Sequence, residues 1–215
     1  MKLIILAAGD AFELDGYNKL LIRHPIEGKT ILELYAEYFD VENIEIVVGY
    51  NAIEIMNAYP KFQYIYNKKW QITSSSYSLY LGLNGEPCYV VPSDYILDKE
   101  TVELMSCHEN CALIKHTENR RITSLNARVS AEGIIEQIYG GKSKNNDPEL
   151  LGVFKISDKS IIRKWKKGCI LHSQNYAGEN LPLNTETPIK AIIASDEIYE
   201  INTPEDYIQF LNKIN

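Results

Sequence analysis

Three short stretches carry residue types that do phosphate chemistry. The first is Leu3-Ile4-Ile5-Leu6-Ala7-Ala8-Gly9, followed by a polar loop that ends at Lys19. An apolar run that stops in three small residues lets backbone N–H groups approach a base or a phosphate. The lysine adds a flexible point charge. Taken alone, the same residues also describe a tight turn after a core strand and a surface lysine. The second stretch is Val90-Val91-Pro92-Ser93-Asp94. A carboxylate at the end of a buried strand sits where open α/β sheets bind ligands, and it suits Mg²⁺, which takes oxygen ligands and substrate phosphates. An Asp taken in isolation is more often only a loop or helix-cap residue. The third is Ile198-Tyr199-Glu200-Ile201-Asn202-Thr203-Pro204-Glu205-Asp206, where the Asn202 side-chain oxygen either completes a metal shell or serves helix entry.

The elements that must position these residues follow from periodicity. Leu3–Leu6, Ile44–Val48, Phe62–Tyr66 and Cys88–Val91 are short apolar or β-branched runs that predict strands covered on both faces. Between them, Thr30–Phe39 (capped by Thr30), Ala52–Tyr59 (stopped by Pro60) and Ser74–Leu83 predict helices. This β-α-β-α order predicts a mainly parallel sheet with helices on both faces. The second half alternates less regularly. Strands are expected at Ala112–His116, Ser124–Val129, Ile134–Tyr139, Leu151–Ile156, Ile189–Ala194 and Ile198–Ile201, with a turn at Glu132-Gly133 and a polar loop over Gly140–Glu149. Helices are expected at Ser157–Lys167 and Pro204–Ile214, the latter with Thr203 as its cap. With no repeat and no low-complexity linker, the 215 residues read as one domain.

Composition narrows the chemistry. A formal net charge of −7 argues against a nucleic-acid binder. No apolar run nears the ~20 residues that span a bilayer, and the N-terminal segment is too short for a signal peptide. A cytoplasmic protein with no membrane partner is expected, as a monomer or homodimer. Cys88, Cys107, Cys111 and Cys169 form no CxxC pair. Buried or incidental thiols are expected rather than the metal spacing that Cys107-His108 and Cys111 superficially suggest.

Together the three stretches resemble the nucleotidyltransferases that activate sugar phosphates and small alcohol phosphates. Leu6-Ala7-Ala8-Gly9 and Lys19 match that family's first strand, loop and lysine. Asp94 matches its aspartate after a central strand, and Asn202-Thr203-Pro204-Glu205-Asp206 matches its second metal ligand and helix start. Asn67-Lys68-Lys69-Trp70, the run Ser75-Ser76-Tyr77-Ser78-Leu79-Tyr80-Leu81, and Tyr199-Glu200-Ile201 look most like the bacterial phosphocholine cytidylyltransferases. The resemblance covers about residues 1–100 and 150–215. Ala11 and Glu13 stand where the family has a second glycine and an arginine, and Tyr17-Asn18 precedes Lys19 where proline is usual. Loss of the arginine removes a bidentate phosphate donor.

The resemblance implies an α/β fold, a single-domain Rossmann-like three-layer αβα sandwich with a mixed, mainly parallel sheet, in which residues of about 115–185 contribute the acceptor-binding part. It implies transfer of CMP from CTP to a small phosphate or phosphonate acceptor, with release of pyrophosphate. A sugar-1-phosphate nucleotidyltransferase and a non-catalytic nucleotide-binding relative stand as alternatives. Lys19 and Asp94 would be catalytic, and Asp94 and Asn202 would hold Mg²⁺. Leu6, Ala7, Ala8, Gly9, Gly49, Tyr50, Ser75 and Ser76 would bind the nucleotide. Trp70 and Tyr77, with Tyr80, could form an aromatic wall for a quaternary ammonium group, although Tyr77 and Tyr80 at i, i+3 also fit core packing. Lys142, with Lys144, offers charge to an anionic acceptor or is simply a solvated loop. Arg120-Arg121 suit an acidic acceptor or form a plain surface turn.

Overall fold

The side chains of the first strand, β1 (Lys2–Ala7), divide between two cores. Leu3, Ile5 and Ala7 face one buried cluster, and Ile4, Leu6 and the following Ala8 face the other. A strand buried on both sides has no polar face, which is why the run shows no alternation. The computed structural model describes residues 1–117, 121 and 123–214.

From β1 the chain continues through α1 (Ile31–Tyr38), β2 (Ile44–Val48), α2 (Ala52–Ala58), β3 (Gln63–Tyr66), α3 (Ser75–Gly82), β4 (Cys88–Pro92), β5 (Tyr95–Ile96) and α4 (Lys99–Ser106). Then come β6 (Asn110–Lys115), β7 (Leu125–Val129), β8 (Ile135–Gly140), β9 (Glu149–Ile156), α5 (Lys159–Leu171), β10 (Lys190–Ile193), β11 (Tyr199–Glu200) and α6 (Pro204–Ile214). The main sheet runs β10-β6-β9-β4-β1-β2-β3, and the β7–β8 hairpin branches from β9. Along that path every strand points the same way except β9, which is antiparallel to both β4 and β6. One core takes Leu34 and Tyr35 of α1, Ile55 of α2, Met105 of α4 and Phe210 of α6. The other takes Leu79 of α3 and Ile162, Trp165 and Cys169 of α5. Helices therefore cover both faces in three layers, the mixed and mainly parallel αβα sandwich expected from the sequence.

Two elements escape the periodicity. The helix α4 offers only Val102 and Met105 as buried apolar points, and it is started by Asp98, whose carboxylate accepts from the Thr101 N–H at 2.7 Å. The strand β5, two residues long, has no period to read. The helix α5 also runs past its expected end at Lys167, through Gly168 to Leu171. Gly168 marks a close approach rather than a stop: a Cβ there would lie 3.3 Å from the Asn180 backbone oxygen. That approach lets Trp165 donate to the Ala177 carbonyl at 2.8 Å. Cys88, Cys111 and Cys169 are buried free thiols, and burial pushes them up to about 12, 11 and 12 respectively. Among the described residues no helix is long and apolar enough to cross a membrane.

Candidate functional site

A cavity of about 760 Å³ opens where β1, β2 and β4 end. Leu6, Ala7, Ala8, Gly9 and Asp10 form part of its wall, with Tyr50 after β2 and Ser93 and Asp94 after β4. The loop after Gly9 folds as two 3-10 turns. In the first, the Ala11 carbonyl accepts from both Leu14 and Gly16 N–H groups at 2.9 Å. Glu13 stands on this turn, exposed and outside the cavity wall. In the second, Asn18 accepts from the Leu20 N–H at 3.1 Å, and Leu20 is fully buried. With Leu20 anchored in the core, its neighbour Lys19 is directed into the cavity.

The Lys19 ammonium stands between the two residues expected to bind metal. Its Nζ donates to Asn202 Oδ1 at 2.5 Å and lies 3.4 Å from Asp94 Oδ2. Asn202 Nδ2 donates to Glu200 Oε1 at 2.6 Å. The small sheet formed by β5 and β11 brings these distant parts of the chain together. Tyr95 pairs with Glu200 and Ile96 with Tyr199, antiparallel, and the Ile201 N–H donates to the Asp94 carbonyl at 2.8 Å. From α1, Tyr35 Oη supports this corner by donating to the Tyr95 carbonyl at 2.7 Å. Asp206, in the first turn of α6, accepts from the Asn202 and Thr203 N–H groups, both at 2.9 Å, and its own N–H donates to Thr203 Oγ1 at 3.1 Å. This reciprocal cap fixes the backbone at Asn202.

The charges around Lys19 are mostly negative. Partial burial, followed by the Asp94 carboxylate, pushes the Glu200 carboxyl up to about 7. Burial would also raise Asp206, but hydrogen bonds from Asn202 and Thr203 outweigh it and hold that carboxyl below the usual range. Asp94 Oδ1 is buried and, among the described residues, has no hydrogen-bond partner. An orphaned carboxylate oxygen normally calls for a ligand or an ion. Among the described residues no three His, Cys, Asp or Glu side chains gather in a metal-binding group. One carboxylate, one amide oxygen and a rim open to phosphates is nonetheless the sparse donor set that Mg²⁺ accepts. The residues present fit that ion.

The remaining residues singled out in the sequence divide in two. Trp70 and Ser75 line the cavity with Tyr50. The Trp70 and Tyr50 rings meet edge to face at 5.4 Å, and Tyr50 meets Phe12 at 5.2 Å. Ser75 Oγ accepts from the Ala177 N–H at 2.9 Å. Gly49 lies behind the wall: a Cβ there would sit 2.5 Å from the Ala8 carbonyl oxygen and 2.7 Å from Trp70 Cβ. Ser76 is fully buried and accepts from Asn180 Nδ2 at 2.6 Å. Tyr77 is outside the cavity wall, with the Lys69 ammonium 5.1 Å over its ring and Tyr80 5.7 Å away. Lys142 is exposed in the loop after β8 and does not reach the wall. Arg121 lines the cavity and donates to Asp206 Oδ2 at 2.7 Å, whereas Arg120 lies outside the described residues.

Several wall residues carry no signal in the sequence. Glu149, bonded by Ser124 Oγ, faces the cavity from the start of β9. Tyr176, Ala177 and Gly178 come from a 3-10 turn that packs on α3 and α5. The segment of about 115–185 thus supplies one side of the cavity through Arg121, Thr123–Leu125, Glu149–Gly152 and this turn.

No protein-family model matches the chain, and no curated protein does. Solved structures share its fold. CTP:phosphocholine cytidylyltransferase from Streptococcus pneumoniae superposes with a TM-score of 0.78 at 18% identity, covering 100% of this chain and 99% of that one. The inositol-1-phosphate CTP transferase from T. maritima gives 0.72 at 16% identity, over 99% and 95%. A UDP-glucose pyrophosphorylase complexed with UDP-glucose gives 0.71 at 15% identity, over 99% and 97%. At these identities the likeness establishes the fold, end to end.

Proposed function

We propose that this chain is a nucleotidyltransferase that moves CMP from CTP to a small phosphate or phosphonate and releases pyrophosphate. The observation that carries the proposal is the single ammonium of Lys19, set between the Asp94 carboxylate and the Asn202 amide oxygen at the mouth of the β1 loop. An ionised acceptor phosphate is already a nucleophile, so no strong base is needed. An acceptor oxygen bonds to the α-phosphorus, the bond from that phosphorus to the bridging oxygen breaks, and pyrophosphate leaves with the electron pair. Catalysis is then positioning and charge neutralisation.

Each residue has a part in that scheme. Ala7, Ala8 and Gly9 admit the nucleotide close to the backbone. Tyr50 and Trp70 give it aromatic walls. Lys19 trades its two internal partners for phosphate oxygens and neutralises charge as the pyrophosphate departs. Asp94 and the Asn202 amide oxygen would hold Mg²⁺, which when bound neutralises phosphate charge and orients nucleotide and acceptor. With Glu13 turned outward, the first loop carries no clamp of its own, and Lys19 is left as its cation. Besides Asp94, the carboxylates of Asp10, Glu149 and Glu200 line the cavity; they suit an acceptor with a positive group beside its phosphate, such as an amino-alcohol phosphate or aminoalkylphosphonate. The solved cytidylyltransferases of the same fold support CTP as the donor.

The test is pyrophosphate release with Mg²⁺, each NTP in turn, and a panel of amino-alcohol phosphates, aminoalkylphosphonates, polyol phosphates and sugar 1-phosphates. Release with CTP and an amino-alcohol phosphate or phosphonate is expected. Release with sugar phosphates alone would replace this reading with sugar activation. Nucleotide binding without release from any pair would point to a nucleotide sensor.

A further inference from the structure

We infer that Glu200 is a positioning residue for the candidate cation site: its carboxylate holds the Asn202 side-chain amide with the oxygen, not the nitrogen, toward the cation. A carboxamide offers a carbonyl oxygen on one side and N–H donors on the other, and only its neighbours decide which side faces where. Among the described residues the Asn202 side chain has two hydrogen-bond partners. Lys19 can only donate and lies 2.5 Å from Oδ1, while Nδ2 donates to Glu200 Oε1 at 2.6 Å. The two fix one orientation. Reversal would set an N–H against an ammonium and a carbonyl oxygen against a carboxylate oxygen.

The backbone leaves little else to adjust. Pairing of β5 with β11 sets Glu200 opposite Tyr95, and the Asp206 cap pins the Asn202 N–H. Rotation of the amide is the freedom that remains. When Lys19 turns to a bound phosphate it gives up its hold on Oδ1. Glu200 is then the partner that keeps the oxygen facing inward, and a carbonyl oxygen binds a cation where an N–H₂ group repels it. The use of that oxygen rests on the metal-assisted reading above; the orientation of the amide does not.

Two measurements separate these points. The first needs no metal. The Asn202 side-chain N–H₂ resonance, assigned by its loss in Asn202→Asp, is followed by ¹⁵N–¹H NMR in the metal-free full-length protein. An N–H shifted downfield and protected from exchange is expected in the parent and in Glu200→Gln, whose side-chain oxygen still accepts. It should become solvent-like in Glu200→Ala. An unchanged signal in Glu200→Ala overturns the inference whatever the enzyme proves to catalyse.

The second measurement is Mn²⁺ affinity by electron paramagnetic resonance. Loss of an outer partner of a ligand weakens metal binding by about ten- to a hundredfold, and Glu200→Ala should fall in that range. Glu200→Gln should stay within about threefold of the parent. Adding Asn202→Asp to Glu200→Ala should restore affinity, because a carboxylate has no wrong face. Equal losses in Glu200→Gln and Glu200→Ala would show that Glu200 acts through its charge and overturn the positioning role. Failure of the parent protein to bind Mn²⁺, with the NMR result intact, would count against the metal-assisted reading and leave the amide orientation established.

Discussion

Lys19 already has two partners in the protein, and the proposed reaction asks it to leave both. Its ammonium is partly buried, and among the described residues one oxygen of the Asp94 carboxylate beside it has no donor. Such a group is held by opposing charge yet remains free to move, since its four-carbon stem turns without disturbing the 3-10 turn that carries it. Lys19→Met keeps the stem and removes the charge. One preorganised donor to a developing anion is worth about 10²–10³ in rate, so kcat for pyrophosphate release should fall by about that factor. Lys19→Arg should not restore it, because a planar fork cannot take the place of a compact ammonium between Asp94 and Asn202. Asp94→Ala should abolish metal-dependent turnover with the circular dichroism spectrum unchanged. Near-normal turnover in that variant would remove Asp94 from the metal site.

At the scale of elements, the site depends on how helices start and how strands end. The helix α1 begins with a full capping box: Thr30 Oγ1 accepts from the Glu33 N–H at 3.2 Å, and the Thr30 N–H donates to Glu33 at 2.7 Å. That backbone donor holds the Glu33 carboxyl below its usual range. A carboxyl that is more acidic folded than unfolded stabilises the fold above its unfolded value of 4.5, and that stability is lost as pH falls through the lower folded value. Glu33→Ala should cost about 1 kcal/mol in urea unfolding at pH 7, and the difference from the parent should shrink below pH 4. Where β2 ends, Gly49→Ala would force a methyl against the Ala8 carbonyl and Trp70 Cβ. Overpacking of this kind costs about 1–3 kcal/mol, and here it should also shift Trp70 emission and weaken nucleotide binding. The sequence reading finds Thr30 as the cap, though not its Glu33 partner, and misses the contact at Gly49. Thr30 with Glu33 three residues on is a local pattern, and so are strands ending in small or acidic residues at Gly9 and Asp94. The tight contact at Gly49 and the place of Glu200 depend on pairings across the fold, between β1 and β2 and between β5 and β11. A two-residue strand has no period, and its partner lies far along the chain. Tyr77 and Ser76 show the converse: the Tyr-Ser-Leu-Tyr run is legible as a helix, but which of its faces meets the cavity depends on where α5 and the turn at Ala177 pack.

For the molecule as a whole, the corner that holds Lys19, Asp94 and Asn202 is closed by β11 and α6, and its integrity is tied to one core. Phe210 of α6 is 1% exposed and lies against the rings of His24 at 5.3 Å and Tyr199 at 4.6 Å. It therefore joins three parts: the segment just after the Lys19 turn, the strand β11 that carries Glu200, and the helix whose first turn caps Asn202. The other face of the sheet, with Trp165 of α5 packed on Phe154 at 5.1 Å, takes no part in this junction. Truncating a buried phenylalanine costs about 3–5 kcal/mol, so Phe210→Ala should lower the urea midpoint strongly. Because Phe210 holds the site's ends together, Mn²⁺ and CTP affinity should fall even at temperatures where the variant is still folded. Ile208 on the same helix is 54% exposed, and Ile208→Ala should change stability by no more than about 0.5 kcal/mol with ligand affinity unaltered. Ile162→Ala is the informative contrast: Ile162 is buried in the opposite layer and does not line the cavity, so the change should destabilise that layer by about 2–5 kcal/mol while the folded fraction binds ligand as the parent does. Equal losses of affinity in Phe210→Ala and Ile162→Ala, measured under conditions where both are folded, would show that the corner senses global stability rather than the anchoring of α6.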